Sequence, residues 1–479
     1  MICLPLSGKV ARNITYCCMS VLTILSAAVL LYTMSTGESF TYRMGHFPSM
    51  FGNEIRAGVL EGFMALLFSL VSLLSLVGGC DGIFEELPKE KVNTFYLMMN
   101  MLLSAMLAII YTNDIFTAYV FIEIVTITAC YIVSAKPGGR PMVASMVYLF
   151  MSLIGSCLFL ISVAILYGVT GHLLMPGLRD GVGALAATGE YRVPLFMLSA
   201  MMTAGFAIKS ALFPFHSWLP DAHSSATTSA SAVLSGLIIK CYFLLLMKMQ
   251  LRVFGLDTMS VLHIPDILVA FGAAAIIYGS IKAMQQGDIK RMLSFSSISQ
   301  VGFISVAVGL NTEAGVATAC FHIAAHAVGK AMLFVAAGGL SAASGHKKDY
   351  GSLYGAGRRD PLSGTAFIIG ALAMTGIPPF FGFASKMNLT VASMDTPYAI
   401  VIIVIALIAG TVMSAMYYFP MIARIVAKTE ADSDEPAIRV KLSLSYKAAI
   451  GGFLVATVVL SIFSSRILHI IEQGISVFS

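Results

Sequence analysis

The sequence predicts an all-α polytopic membrane protein of about thirteen spanning helices, and three observations carry that prediction. Of its 479 residues, 58% are hydrophobic and only 11% are charged, against roughly 25% charge in a soluble domain. Apolar runs of 18 or more residues recur along the whole length, and mean hydropathy is +0.88. Basic residues then gather in alternate loops, as they do in a chain that crosses a bilayer repeatedly.

The segments fall at roughly 14–35, 57–79, 94–112, 115–134, 141–168, 193–221, 227–250, 263–285, 290–310, 314–340, 362–395, 398–426 and 445–466. The first follows Lys9 and Arg12 in the manner of a signal peptide. It is too long and lacks a small-residue cleavage site, so a retained helix is expected. The sixth is interrupted by Pro214, and the eleventh by Pro378 and Pro379, because proline removes a backbone donor and clashes with the preceding turn. Gaps are short, which leaves no space for an inserted soluble domain. The one sizeable connection, 169–192, holds Gly171, Pro176, Gly177, Gly181 and Gly183 and reads as a loop. Its Gly-x-Gly follows no strand, so it is not a nucleotide-binding fingerprint.

Alternate loops, starting with the amino terminus, carry Lys9 and Arg12, Lys89 and Lys91, Lys136 and Arg140, and Lys290 and Arg291. The same set continues with Lys347, Lys348, Arg358 and Arg359, then Arg424, Lys428, Arg439 and Lys441. The opposite set holds few, among them Arg43, Arg179, Arg192 and Arg252. The positive-inside rule therefore places the amino terminus in the cytoplasm and, after an odd number of crossings, the carboxyl terminus outside. The net charge of +5 sits in membrane loops and implies no nucleic-acid partner. The eight cysteines are scattered, Cys3 among them, and no Cys-x-x-Cys occurs. Iron–sulfur and structural zinc sites are disfavoured, no cofactor is expected, and the thiols read as buried and inert. Any electrons must pass through another subunit.

Ionisable residues at membrane depth are the sharpest signal, since a lysine near the bilayer centre costs roughly 2.5–3.5 kcal/mol on insertion scales. Glu123 falls in the fourth segment, Lys209 in the sixth, Lys240 in the seventh and Lys386 in the eleventh. Asp114 precedes a helix and reads as its N-cap. Lys248, near a helix end, reads as a side chain reaching out to the interface. In the tenth segment His322, His326 and Lys330 recur every four residues and share one helix face. A histidine pair at this spacing can bind zinc, but no accompanying glutamate or clear third ligand follows, so a proton relay fits better than a metal. Satisfied interior histidines are the plain alternative. The ninth segment, with Ser294, Ser296, Ser297 and Ser299, either lines a hydrated path or bonds its hydroxyls back to its own helix.

Five motifs in combination give the chain a nearly full-length resemblance to one family: KSALFPFHSWLPDAH (209–223), SAVLSG (231–236) with Lys240, DIKRMLSFSSISQVG (288–302), HIAAHAVGKAMLF (322–334) and GIPPFFGFASK (376–386). It resembles the antiporter-like membrane subunits shared by Mrp-type multisubunit cation/proton antiporters, respiratory complex I and membrane-bound nickel–iron hydrogenases. Within these it is most similar to an Mrp D-type or hydrogenase subunit. The resemblance implies two inverted five-helix repeats, at 94–250 and 263–426, after N-terminal helices at 1–93 and before a C-terminal helix at 427–479. It implies a proton path through Glu123, Lys209, Lys240, His322, His326 and Lys386, with Lys330, Ser296 and Ser299 secondary. The implied partners are other membrane subunits, further antiporter-like ones included, with protons or sodium as cargo, in a prokaryotic cytoplasmic membrane.

Two departures stand out. The family typically has fourteen helices, and this chain starts as though after the first; it also lacks the long amphipathic arm of the largest complex I member. Where the family has Ala-Pro-Thr-Pro, this chain has Ala226-Thr227-Thr228-Ser229, which removes a fixed entry to the next helix and adds hydroxyls. Burial disfavours a charged lysine and a nearby carboxylate favours it, so a changing Glu123–Lys209 contact would switch Lys209 between holding and releasing a proton. Three other functions compete with this one. They are the pumping subunit of a redox-driven complex, a stand-alone solute carrier and a scaffold that has lost transport. Acidic residues at depth are few, which favours protons over a hard cation in this subunit.

Overall fold

Residues 7–46, 53–189, 191–394, 396, 400–428 and 442–476 are described by the computed structural model. Cys3, Arg439 and Lys441 lie outside them.

The apolar runs become helices because a helix satisfies every backbone group within one segment, which lipid demands. In chain order these are α1 Gly8–Thr36, α2 Val59–Gly78, α3 Cys80–Glu86, α4 Lys89–Tyr111, α5 Ile115–Ser134, α6 Gly139–Thr170, α7 Met175–Thr188 and α8 Arg192–Lys209. There follow α9 Trp218–Ser225, α10 Thr228–Val233, α11 Ile239–Met249, α12 Leu256–Val261, α13 Ile264–Met284, α14 Ile289–Gly309, α15 Glu313–Ala342 and α16 Ala356–Arg359. The last are α17 Pro361–Thr375, α18 Phe381–Ser393, α19 Ile400–Val426, α20 Leu444–Ile462 and α21 Ser464–Ser476. π-helical turns at Leu234–Ile238 and Gln250–Phe254 extend α10 and α11 into one continuous helix, Thr228–Phe254.

Among the described residues eleven helices, with Thr228–Phe254 counted as one, are long and apolar enough to cross a membrane. The sixth and eleventh expected spans are each a helix, a break and a second helix: α8 with α9, and α17 with α18. The expected count of thirteen includes these two broken spans, neither of which is a single helix long and apolar enough to be counted among the eleven. One β-hairpin departs from an all-helical chain. Phe40–Arg43 (β1) pairs antiparallel with Glu54–Ala57 (β2), and Glu54 is tied to the end of α4 by the Asn113 side-chain amide at 2.8 Å.

Side-chain caps set several helix starts. Asp114 accepts from the Thr117 N–H at 2.6 Å and is the predicted N-cap of α5. Asp288 caps α14 through Arg291 N–H at 2.9 Å, and Thr312 caps α15 through Gly315 N–H at 3.0 Å. The 169–192 connection corrects the expectation of a loop, because it folds mostly as α7. Gly171 ends α6 with a φ of +72°, Pro176 stands in the first turn of α7, and Gly189 closes it at +72°. The internal glycines serve close packing: a methyl at Gly181 would meet Thr170 Cγ2 at 2.7 Å. The cysteines also need correcting. Cys80, Cys130, Cys241 and Cys320 are buried, but Cys17, Cys18 and Cys157 lie on the outer surface of the bundle.

Helix α15 sits at the centre, packed by α2, α10, α14, α17, α18, α20 and α21. The continuous helix Thr228–Phe254 and α14 are buried along their full apolar windows, whereas α1, α6 and α19 present Ile24, Phe150 and Ile405 outward, where lipid belongs. The closest helix crossing is α13 on α14, where Gly272 and Gly302 face each other. A methyl on Gly302 would meet the Gly272 carbonyl oxygen at 2.5 Å, and one on Gly279 would meet Ser299 N at 2.6 Å. Small residues at such positions let backbones touch, which stands in for the hydrophobic drive that lipid removes. Gly302→Val should therefore destabilise the protein by about 1–3 kcal/mol, read as a lower midpoint of thermal unfolding in detergent.

Candidate functional site

The first break begins where α8 ends at Lys209. Ser210 Oγ donates back to Phe206 O at 2.6 Å, Ala211 takes a φ of +55°, and the indole of Trp218 donates to the Ile208 carbonyl at 3.2 Å. The interruption thus leaves its backbone satisfied and points Lys209 inward, only 1% exposed. Its ammonium donates to Thr126 Oγ1 at 2.9 Å and lies 5.4 Å above the Tyr242 ring. Gly155 on α6 provides the space: a methyl there would sit 3.1 Å from Lys209 Cγ. Glu123 stands one turn before Thr126 on α5, and its Oε1 is buried without a hydrogen-bond partner. Among the described residues no ion pair within 4 Å joins Glu123 to Lys209; Lys209 donates to Thr126, whose own hydroxyl donates to the Ile122 carbonyl at 2.9 Å.

Lys240 lies on the fully buried central helix and donates to the Ser235 carbonyl oxygen in the π-helical turn. A π-helical turn widens the helix, and such turns concentrate at functional sites. Lys248 differs from expectation. It is 5% exposed and donates to the carbonyls of Ile109, Ile110 and Thr112, so it closes the end of α4 instead of reaching to the interface.

On α15 the three side chains at four-residue spacing are all buried. His322 Nδ1 is 2.7 Å from Ser385 Oγ, and its ring stacks on His326 at 6.2 Å. His322 Nε2 and both nitrogens of His326 have no protein partner. Lys330 donates to Ser296 Oγ, to the Leu293 carbonyl at 3.1 Å and to Tyr418 Oη at 3.2 Å. Among the described residues no cluster of three or more His, Cys, Asp or Glu forms around the histidine pair. The second break, at 376–380, holds Pro378 and Pro379 and delivers Lys386. That lysine donates to the Thr375 carbonyl at 2.7 Å, in the turn the break frees, and to Thr411 Oγ1 at 3.1 Å. Gly376, with a φ of +90°, makes room for it, since a methyl there would lie 3.1 Å from Lys386 Nζ.

Glu123, Lys209, Lys240, the His322–His326 pair and Lys386 thus lie on five helices, all buried except half-buried Glu123, and Lys330 with its partner Ser296 is buried on α15 and α14. Ser299 does not join them. Its hydroxyl meets Ser280 at 2.9 Å in the α13–α14 seam. The serine-rich helix bonds hydroxyls back to itself, as at Ser294, Ser296 and Ser297, and Ser297 also meets Ser235 Oγ at 2.8 Å on the central helix.

Several residues escaped sequence reasoning. His223 is fully buried, stacks on Phe334 at 4.9 Å and has no partner at either nitrogen. It closes the first motif, which was the available signal. Lys290, 2% exposed, donates to the Ala226 carbonyl at 3.2 Å and lines a cavity of about 490 Å³ with Gly78, Gly79, Thr228 and Gly338. Asp81, Glu85 and Glu86 line the same cavity. Lys348 also borders it, with its pKa held below the usual lysine range by burial and then by Lys136. Glu61, in the first turn of α2, forms a buried ion pair with Arg252 and caps its own helix through Gly58 N–H at 3.1 Å. Arg252 is thus a core residue, not the loop cation expected. Glu61→Ala should cost about 3–5 kcal/mol, because it leaves a charge desolvated without its carboxylate; Glu61→Leu with Arg252→Met should recover most of the unfolding midpoint.

Comparison with known proteins agrees with this geometry. The family model for the transmembrane part of NADH:quinone oxidoreductase/Mrp antiporter proteins matches residues 112–414. The chain is 30% identical over 461 residues to the N-type subunit of the NADH-quinone oxidoreductase of Desulforudis audaxviator, covering 93% of this chain and 89% of that protein. It is 30% identical over 378 residues to the D-type subunit of the Na(+)/H(+) antiporter of Alkalihalophilus pseudofirmus, covering 78% and 74%. Among solved structures, a chain of an archaeal membrane-bound sulfane sulfur reductase superposes with a TM-score of 0.86 at 24% identity, covering 97% of this chain and 91% of that one. A chain of the Mrp complex from Dietzia superposes at 0.83 and 19% identity, covering 98% and 92%. The interrupted helices with their buried lysines and this match together make the chain a member of the NADH:quinone oxidoreductase/Mrp antiporter transmembrane family, an antiporter-like subunit of the kind found in multisubunit membrane complexes.

Proposed function

We propose that the chain moves protons through the membrane along Glu123, Lys209, Lys240, His326, His322 and Lys386. The observation that carries this reading is the burial of Lys209, Lys240, His322, His326 and Lys386, with half-buried Glu123, in a core that holds several partnerless polar atoms. Glu123 Oε1, His322 Nε2, both nitrogens of His326 and of His223, and the Gln300 side-chain amide all lack a protein partner. Buried polar groups of this kind are met by ordered water, and water joining them makes a proton wire. Histidine suits the central position, because it gives and takes protons through either ring nitrogen near neutral pH.

Two inverted repeats, at 94–250 and 263–426, account for the paired breaks. Each carries a lysine at an interruption, Lys209 beside Gly155 and Lys386 beside Gly376. The acid-rimmed cavity at Lys290 and Thr228 is the entry, with His223 next on the way to Lys240. Thr227 and Ser229 there replace the family's prolines with hydroxyls. The lysine-rich loops make this end the cytoplasmic one, so the amino terminus is inside and the carboxyl terminus outside. Protons are the cargo favoured here, since the row offers one carboxylate where a sodium site needs several oxygens.

A second reading keeps the path and changes the driver, making the chain a pumping subunit of a redox-driven complex. The match to an NADH-quinone oxidoreductase subunit over 93% of the chain favours it. The identity of copurifying subunits, and whether any bears iron–sulfur or nickel motifs, separates the two. The path itself is tested in vesicles holding the purified assembly. Lys209→Ala, Glu123→Gln and Lys386→Ala should each reduce coupled proton movement to the level of empty vesicles, with the subunits still copurifying. Wild-type transport in any of the three would reject the path.

A further inference from the structure

Away from the lysine row, two cavities meet on the outer flank between α8 and α13. One, of about 350 Å³, is lined by His216, Ser217, Tyr278, Lys282, Gln286 and Arg291 at the basic end of the bundle. The other, of about 170 Å³, is an apolar groove formed by Ala200, Ala204 and Ala207 on α8 and by Ile267 and Phe271 on α13. Phe213 joins them: it lines the groove, and its ring lies 5.6 Å from His216 and 5.0 Å from Tyr278 in the polar cavity.

Each cavity has a built character. Arg291 is fixed at the rim by Asp221 at 2.5 Å and Gln286 Oε1 at 3.2 Å, and Lys282 lies 5.9 Å from the Tyr278 ring. His216 is 8% exposed, and its Nδ1 has no protein partner. In the groove the three alanines recur at i, i+4 and i+7, so one helix face is pared down to methyl groups while Ile267 and Phe271 stay outward-facing. Lys282 and Phe271 are separated by about 16 Å along α13, at 1.5 Å per residue. That is about half of a hydrocarbon core of roughly 30 Å, the depth of one leaflet.

We infer that this site binds one anionic phospholipid, its phosphate against Lys282 and Arg291 and an acyl chain along the α8–α13 groove. Basic pockets between membrane helices are the usual seats of acidic headgroups. An apolar groove that continues from a basic cavity matches a charged headgroup with a hydrocarbon chain beneath it. The site stands apart from the ion path and does not depend on it.

The test uses the full chain with its copurifying subunits, reconstituted in mixed phosphatidylglycerol and phosphatidylcholine vesicles and then examined by native mass spectrometry. The wild type should retain phosphatidylglycerol over phosphatidylcholine. Lys282→Gln should lower that retention about fivefold, the weight of one basic side chain near an anionic lipid surface. Ala204→Phe, which fills the groove and leaves the charges alone, should lower it as well. Unchanged retention in both variants overturns the inference. So does displacement of the lipid by inorganic phosphate, which would mark a free-anion site, or loss of a subunit with lipid retained, which would mark a protein contact.

Discussion

Charge held in a low-dielectric interior is the constraint on which this structure depends. A buried ammonium costs several kcal/mol unless its donors are met. The fold meets them with oxygens that ordinary helices keep to themselves. Lys240 takes a carbonyl from a π-helical turn, Lys386 one from a helix broken by proline, and Lys248 the three carbonyls at the end of α4. Lys209 takes a threonine hydroxyl instead. Helix irregularity here is thus the supply of ligands for cations, and each irregularity lies beside the lysine it serves.

Glycine has the complementary part. Gly155 and Gly376 clear the stems of Lys209 and Lys386, while Gly272, Gly279 and Gly302 bring α13 onto α14 at backbone contact. The first use makes room for a buried charge. The second makes a stiff seam beside it, into which Ser299 is drawn away from the row. A rigid frame around a few adjustable side chains is what a path for small ions needs.

Much of this is legible in the sequence, because lipid imposes simple rules. The spans follow from apolar length, the breaks from Pro214, Pro378 and Pro379, and the N-cap from Asp114. The misses have physical causes as well. The 169–192 segment reads as a loop because its glycines, which serve close packing on His172 and Thr170, resemble helix breakers in composition. Glu61 and Arg252 are 191 residues apart, so no local pattern could pair them. Helix position alone sends Lys248 to the interface, and only the fold brings the end of α4 to it. The thiols of Cys17, Cys18 and Cys157 lie in apolar runs like the buried ones, and hydropathy does not tell lipid from core.

The Thr126 contact bears on how the first lysine is held. A direct Glu123–Lys209 ion pair would be strong in a dry interior, and strength there holds the proton in place. A hydroxyl both donates and accepts, so Thr126 can partner Lys209 whether it is an ammonium or a neutral amine. Glu123, one turn away on the same helix, then biases the choice through its field without fixing it. Lys240 and Lys248 are bound by carbonyls, which only accept, whereas Lys386 has both a carbonyl and the Thr411 hydroxyl. On the proposed path a hydroxyl partner suits a group whose protonation changes, and Lys209, beside the row's one carboxylate, has Thr126 in that place.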